Sequence, residues 1–103
     1  MSKRLAYLEK VTREGSTEPM AGYGLALEYR TLERWDEALQ TFTTLRTNHP
    51  DYVAAYLMCG QMLEQMGRVE DAKAWLTSGM EAAKQKGDTH ALGELEGALG
   101  ALG

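Results

Sequence analysis

The chain has 103 residues, a formal net charge of −4 and a hydrophobic fraction of 44%, which fit one folded domain and exclude a second core. It contains no basic block, so a nucleic-acid surface is not expected. Cys59 is the single cysteine, which excludes an intrachain disulfide and fits a reducing compartment.

The N-terminal residues 3–13 are predicted to form a short amphipathic helix, because Leu5, Leu8 and Val11 lie on one stripe. Charged residues interrupt these apolar positions, so the segment does not resemble a signal peptide. No window of the sequence has the apolar length that a membrane span needs. We therefore expect a soluble, cytoplasmic protein that does not bind a membrane.

Residues 15–17 are predicted to break the first helix, and longer helices follow after short loops. Pro19 and Pro50 suit helix starts, where a missing N–H costs nothing. Gly67 and Gly87 are placed to end helices in the left-handed conformation, with Asp88 as the N-cap of the last helix. Consecutive helices should be antiparallel neighbours, and the predicted ranges are 19–32, 36–47, 51–66, 69–85 and 89–102.

Residues 19–52 and 53–86 repeat each other at a spacing of 34 residues. A fixed period of this length is typical of stacked helical hairpins. Small residues recur where two helices would cross, and bulky residues recur beside them. The matching pairs are Leu25 with Cys59, Ala26 with Gly60, Tyr29 with Leu63, Ala38 with Ala72 and Phe42 with Leu76.

These residues resemble the tetratricopeptide repeat family. Its pattern has small residues at positions 8, 20 and 27, bulky ones at 4, 7, 11 and 24, and proline at 32. The chain departs from the pattern at Gly22, Leu45 and Lys84. The resemblance implies an all-α fold of antiparallel helical hairpins, stacked as a short right-handed solenoid. The whole arrangement is similar to that of small bacterial two-repeat proteins of the family.

Two repeats are fewer than the three that usually bury a continuous core, so residues 3–13 and 88–102 are interpreted as capping helices. The last helix has two alternative registers. A strict period places Gly93 at the position of Cys59, whereas a shift of two residues places Leu95 there. The shifted register buries more apolar area, and we favour it.

The resemblance also implies a binding surface, because the first helix of each hairpin lines a concave groove in this family. We call the two sets of groove positions the first stripe and the second stripe. They suggest a non-catalytic module that binds a helical or extended apolar segment of a protein or peptide partner. The first stripe is Met20, Tyr23, Leu27 and Arg30, and the second is Ala54, Leu57, Met58, Gln61 and Glu64.

The alternative function is a structural homo-oligomer that associates through the C-terminal helix or the groove. Gly93 and Gly97 share one face of that helix, and either a close contact or fraying of the helix would explain them. No catalytic, cofactor-binding or metal-binding constellation is expected. Cys59 has no activating partner in the pattern, and His49 and His90 lack metal-ligand spacing.

Overall fold

A computed structural model describes residues 3–14 and 18–103 of the chain. Within these residues all regular secondary structure is helical, and each predicted helix is present with bounds within two residues of the prediction. The predicted break at residues 15–17 lies outside the described residues. The helices are α1 (Lys3–Arg13), α2 (Pro19–Thr31), α3 (Trp35–Asn48), α4 (Val53–Gln65), α5 (Val69–Lys86) and α6 (Thr89–Ala101).

The helices divide into two compact units, an N-terminal unit of residues 1–49 and a C-terminal unit of residues 50–103. In the N-terminal unit, α2 packs against both α1 and α3. The buried residues recur at the helical spacing that the sequence predicted, so the apolar faces form this unit's core. They are Leu5 on α1, Leu25, Ala26 and Tyr29 on α2, and Ala38, Phe42 and Leu45 on α3.

Polar contacts hold α1 against α2 in addition to the buried Leu5. The Tyr29 hydroxyl donates a hydrogen bond to Glu9 Oε2 over 2.5 Å, and Arg4 Nε lies 3.0 Å from Glu28 Oε2. Burial and this bond to Glu9 raise the pKa of Tyr29 to about 12. Leu8 and Val11, which share the predicted apolar stripe with Leu5, are only half-buried.

In the C-terminal unit, α4 packs against α5 and α6, and α5 packs against α6. Helix α4 is buried on most of its circumference, at Val53, Ala55, Tyr56, Cys59, Gly60, Met62 and Leu63. Gly60 lies at a close crossing, as predicted, because a Cβ atom there would be 2.6 Å from Leu76 Cδ2. A small residue is therefore required at this position for α4 and α5 to approach each other.

The turn inside each hairpin has the same backbone hydrogen bond and a left-handed residue before it. The Arg34 N–H donates to the Tyr29 carbonyl over 2.8 Å, and the Arg68 N–H donates to the Leu63 carbonyl over 2.8 Å. Gly67 has φ +79°, as the prediction of a left-handed end to α4 requires. The equivalent residue in the first hairpin is Glu33, with φ 59°.

Helix α6 begins and packs as the sequence predicted. Gly87 has φ +74°, and Asp88 accepts a hydrogen bond from the Ala91 N–H over 3.0 Å. Leu95 is fully buried and Gly93 is exposed, which confirms the shifted register. The other leucines of this C-terminal segment, Leu92, Leu99 and Leu102, are only half-buried.

Candidate partner-binding site

The first stripe lies along one side of α2, next to the side that carries its buried residues. An α-helix turns by about 100° per residue, which puts the four side chains of this stripe within about 80° of one another. Met20 is 72% exposed, while Tyr23, Leu27 and Arg30 are half-buried. The packing of α1 and α3 on α2 therefore leaves this apolar row accessible at least in part.

The second stripe occupies the narrow side of α4 that its core contacts leave open. Ala54, Gln61 and Glu64 are exposed, and Leu57 and Met58 are half-buried. Because most other positions of α4 are buried, any ligand of this helix must approach along the second stripe. Each stripe combines apolar residues with one charged residue near the helix C-terminus, Arg30 in the first and Glu64 in the second.

A cavity in the N-terminal unit was not expected from the sequence. It has a volume of about 660 Å³, is partly open to solvent and is lined mainly by residues of α2 and α3, together with Thr12 of α1 and with Glu18 and His49 beside the helix ends. Its apolar lining includes Pro19, Gly22, Leu25 and Leu45. The one available sequence signal was the departure of Gly22 from the repeat pattern, where the second repeat has Tyr56.

The side chains with the greatest chemical reactivity are dispersed. Cys59 is fully buried, and His90 is exposed at the start of α6, with its Nε2 3.5 Å from Glu94 Oε1. Among residues 3–14 and 18–103, no group of three His, Cys, Asp or Glu side chains is arranged to hold a metal ion.

The outer face of α6 carries Gly93, Gly97 and Gly100. The helix continues regularly through all three glycines to Ala101, in contrast to the fraying that their low helix propensity allowed. A Cβ atom built at any of them would meet no atom within 4 Å apart from its chain neighbours and the backbone of α6 itself. No close contact with another helix in the described part of the chain therefore explains this row of small residues.

No helix in the described part of the chain combines the length and the apolar character that crossing a bilayer requires. The longest, α5, has charged residues distributed along its length.

The sequence profile of the tetratricopeptide repeat family matches residues 29–94. The profile covers more than half of the chain, and the chain belongs to the tetratricopeptide repeat family. Three solved structures of bacterial proteins are similar to the chain in both sequence and fold. A crystal structure of a tetratricopeptide repeat domain protein from Salinibacter ruber is 32% identical, with a TM-score of 0.75, and the match covers 82% of this chain and 96% of that one.

A solution structure of a tetratricopeptide repeat domain protein from Salinibacter ruber is likewise 32% identical, with a TM-score of 0.79 and coverage of 82% of this chain and 86% of that one. A protein from Bordetella parapertussis, also solved in solution, is 26% identical with a TM-score of 0.83, and the match covers 99% of this chain and 89% of that one. No curated protein matches the chain.

The family assignment confirms the predicted fold class and the similarity to small bacterial members of the family. Proteins with this repeat generally mediate protein–protein interactions and are typically non-catalytic. Which residues of this chain bind a partner is a separate question.

Proposed function

We propose that this protein is a non-catalytic protein–protein interaction module and that the first and second stripes contact its partner. The observation that carries this proposal is the partial exposure of apolar side chains at helical spacing on two helices whose core faces are buried. Met20 is 72% exposed, and Leu27 and Leu57 are half-buried on regular helices. Apolar rows of this kind are typical of surfaces that receive an amphipathic helix or an extended apolar segment.

The chemistry of the stripes also defines the partner segment. Recognition of a C-terminal carboxylate in this family uses Lys, Asn and Arg side chains in the groove. Tyr23, Leu27, Ala54 and Met58 supply none of these groups, so the partner segment is internal to its chain. Arg30 favours an acidic residue beside the first stripe, and Glu64 favours a basic residue beside the second.

A photo-crosslinking residue placed in each stripe tests the proposal directly. We would introduce p-benzoylphenylalanine at Leu27 or at Leu57, irradiate cells that express the variant, and identify covalent adducts by mass spectrometry. Thr43 and Thr77 are matched controls, because both are exposed, lie on the second helix of a hairpin and are equivalent in the repeat. We expect one partner protein at both stripe positions and none at the controls.

Charge substitutions then separate binding from folding. Leu27→Glu combined with Leu57→Glu should keep the helical circular-dichroism signal near that of the wild type and remove capture of the crosslinked partner. An unfolded double variant would assign these leucines to the core and contradict the proposal. An adduct of the chain with a second copy of itself would instead support the homo-oligomer.

A further inference from the structure

The two hairpins differ in how completely they fill an equivalent space. In the C-terminal unit the rings of Tyr56 and Trp75 pack with their centroids 5.9 Å apart, and both residues are buried. Gly79 makes room for Tyr56, because a Cβ atom at Gly79 would be 2.5 Å from Tyr56 Cβ. The Tyr56 hydroxyl donates a hydrogen bond to the Pro50 carbonyl over 2.7 Å, so this aromatic pair is fully accommodated.

The equivalent residues in the N-terminal unit are Gly22, Thr41 and Leu45. Leu45 recovers part of the lost volume, and it lies 3.6 Å from the Cβ position of Gly22. Nothing replaces the indole of Trp75, since Thr41 has a short side chain whose hydroxyl already donates to the Glu37 carbonyl over 2.7 Å. All three residues line the cavity of about 660 Å³, which lies where the second hairpin holds its aromatic pair.

We propose that this cavity receives an aromatic side chain, Trp or Tyr, from a segment of a partner protein. The volume falls within the range of about 300–1,000 Å³ that is usual for ligand sites. Apolar atoms of Pro19, Gly22 and Leu25 line it, and the polar side chains of Gln40 and Asn48 lie among its exposed lining residues. Glu18 and His49 also line the cavity, and an apolar wall with hydrogen-bonding groups beside it suits a ring that carries one N–H or O–H.

This site is separate from the first stripe, so the inference does not depend on the proposed function. Gly22 points about 100° away from Tyr23 around α2, because each residue advances the helix by that angle. A partner that binds the cavity therefore contacts the junction of α2 and α3, whereas a partner of the first stripe contacts the opposite side of α2.

Titration of the isotope-labelled full chain with short capped peptides provides the test. We expect acetyl-Gly-Trp-Gly-amide to shift the amide signals of Gly22, Thr41 and Leu45 in a saturable manner. Acetyl-Gly-Leu-Gly-amide should bind about tenfold more weakly, since a leucine side chain fills less of the cavity. Equal affinity for the two peptides, or shifts located elsewhere on the chain, would overturn the proposal.

Filling the cavity gives the second arm of the test. Thr41→Trp copies the residue of the second hairpin and should weaken the Trp peptide about tenfold or more, whereas the matched variant Thr41→Val should bind like the wild type. If Thr41→Trp does not fold, Thr44→Arg places a charge at an exposed lining residue and should weaken the peptide in the same way. Unchanged binding by the folded filling variant, or by Thr44→Arg in its place, would contradict the proposed site.

Two further measurements distinguish other occupants of the cavity. Free indole should bind more weakly than the Trp peptide, and the reverse order would assign the site to a small aromatic molecule. Light scattering across protein concentration should give the mass of one chain. Self-association that Thr41→Trp or Thr44→Arg abolishes would make a second copy of the chain the occupant. Stronger binding of indole or such self-association would overturn the proposal that a partner protein supplies the aromatic side chain.

Discussion

The first hairpin, α2 with α3, and the second, α4 with α5, have the same helices and the same turn hydrogen bond but different side-chain packing. One pair of positions exchanges bulk between them, because Gly22 with Leu45 in the first hairpin becomes Tyr56 with Gly79 in the second. The exchange shows that the backbone arrangement is kept when the larger residue moves from one side of this contact to the other.

One position has no such compensation. Thr41 stands where the second hairpin has Trp75, and no other side chain fills the volume of the missing indole. There the second hairpin has a buried aromatic pair, and the first has an open cavity. The two hairpins therefore differ in how completely their cores are packed. The second has the more completely packed core, and the first has space for a ligand.

The largest expected effect is the loss of the aromatic pair. Trp75→Ala should lower the free energy of unfolding by about 3–5 kcal/mol, because it removes a buried ring and leaves a cavity. The matched change Thr41→Ala should cost less than about 1 kcal/mol, since the space beside it is already open. Urea denaturation measures both, and equal losses would contradict the difference in packing between the hairpins.

Alanine substitution of glycines should have opposite effects in the two hairpins. Gly79→Ala places a Cβ atom 2.5 Å from Tyr56 Cβ and should destabilise the protein by about 1–3 kcal/mol. Gly22→Ala meets only Leu45 Cδ1 at 3.6 Å and should stabilise it by about 0.4–1 kcal/mol, because alanine restricts the unfolded chain. Melting temperatures that move in the same direction for both variants would show that the size exchange is wrong.

The two turns differ in the residue that has a left-handed conformation, which is Glu33 in the first hairpin and Gly67 in the second. This difference predicts a smaller effect. Gly67→Ala should cost about 1 kcal/mol, since only glycine adopts positive φ without strain. Glu33→Gly relieves that strain in the first hairpin and should stabilise it by a few tenths of a kcal/mol, after the entropy of glycine is subtracted. Thermal unfolding of the two single variants distinguishes these signs, and a stabilised Gly67→Ala would contradict the assigned turn.

Sensitivity to alkaline pH should be confined to the first hairpin, where Tyr29 stands in place of Leu63. The folded protein retains the Tyr29 proton up to a pKa of about 12, whereas an unfolded tyrosine loses it near pH 10. Unfolding between these values releases a proton, so the contribution of Tyr29 to stability falls as the pH rises from about 10 to about 12.

Urea denaturation at pH 9 and pH 11 tests this dependence. Tyr29→Phe should lose less stability than the wild type between the two values, because it removes the group that titrates. Tyr7→Phe is the matched control, since Tyr7 is exposed, and it should behave like the wild type. A decline as steep in Tyr29→Phe as in the wild type would exclude Tyr29 as its cause.

The placement of the candidate site residues on helix faces could be predicted, but their accessibility could not. Helical periodicity alone puts Leu27 on a face away from Leu25 and Ala26. Whether Leu27 is buried depends on how far the side chains of α1 and α3 cover α2, and the spacing of residues within α2 does not determine this. Binding by the two stripes remains a prediction that the crosslinking experiment tests.

The sequence by itself determined the helix bounds, the left-handed ends at Gly67 and Gly87, the N-cap at Asp88 and the register of Leu95. Each of these depends on residues within about one or two helical turns or on the repeat period, so a local pattern carries the information. Tertiary structure alone decided the hydrogen bond from Tyr29 to Glu9, the incomplete cover of the α6 leucines and the cavity beside Thr41. These features depend on side chains from different helices meeting in space, where the sum of their volumes decides whether a gap is filled.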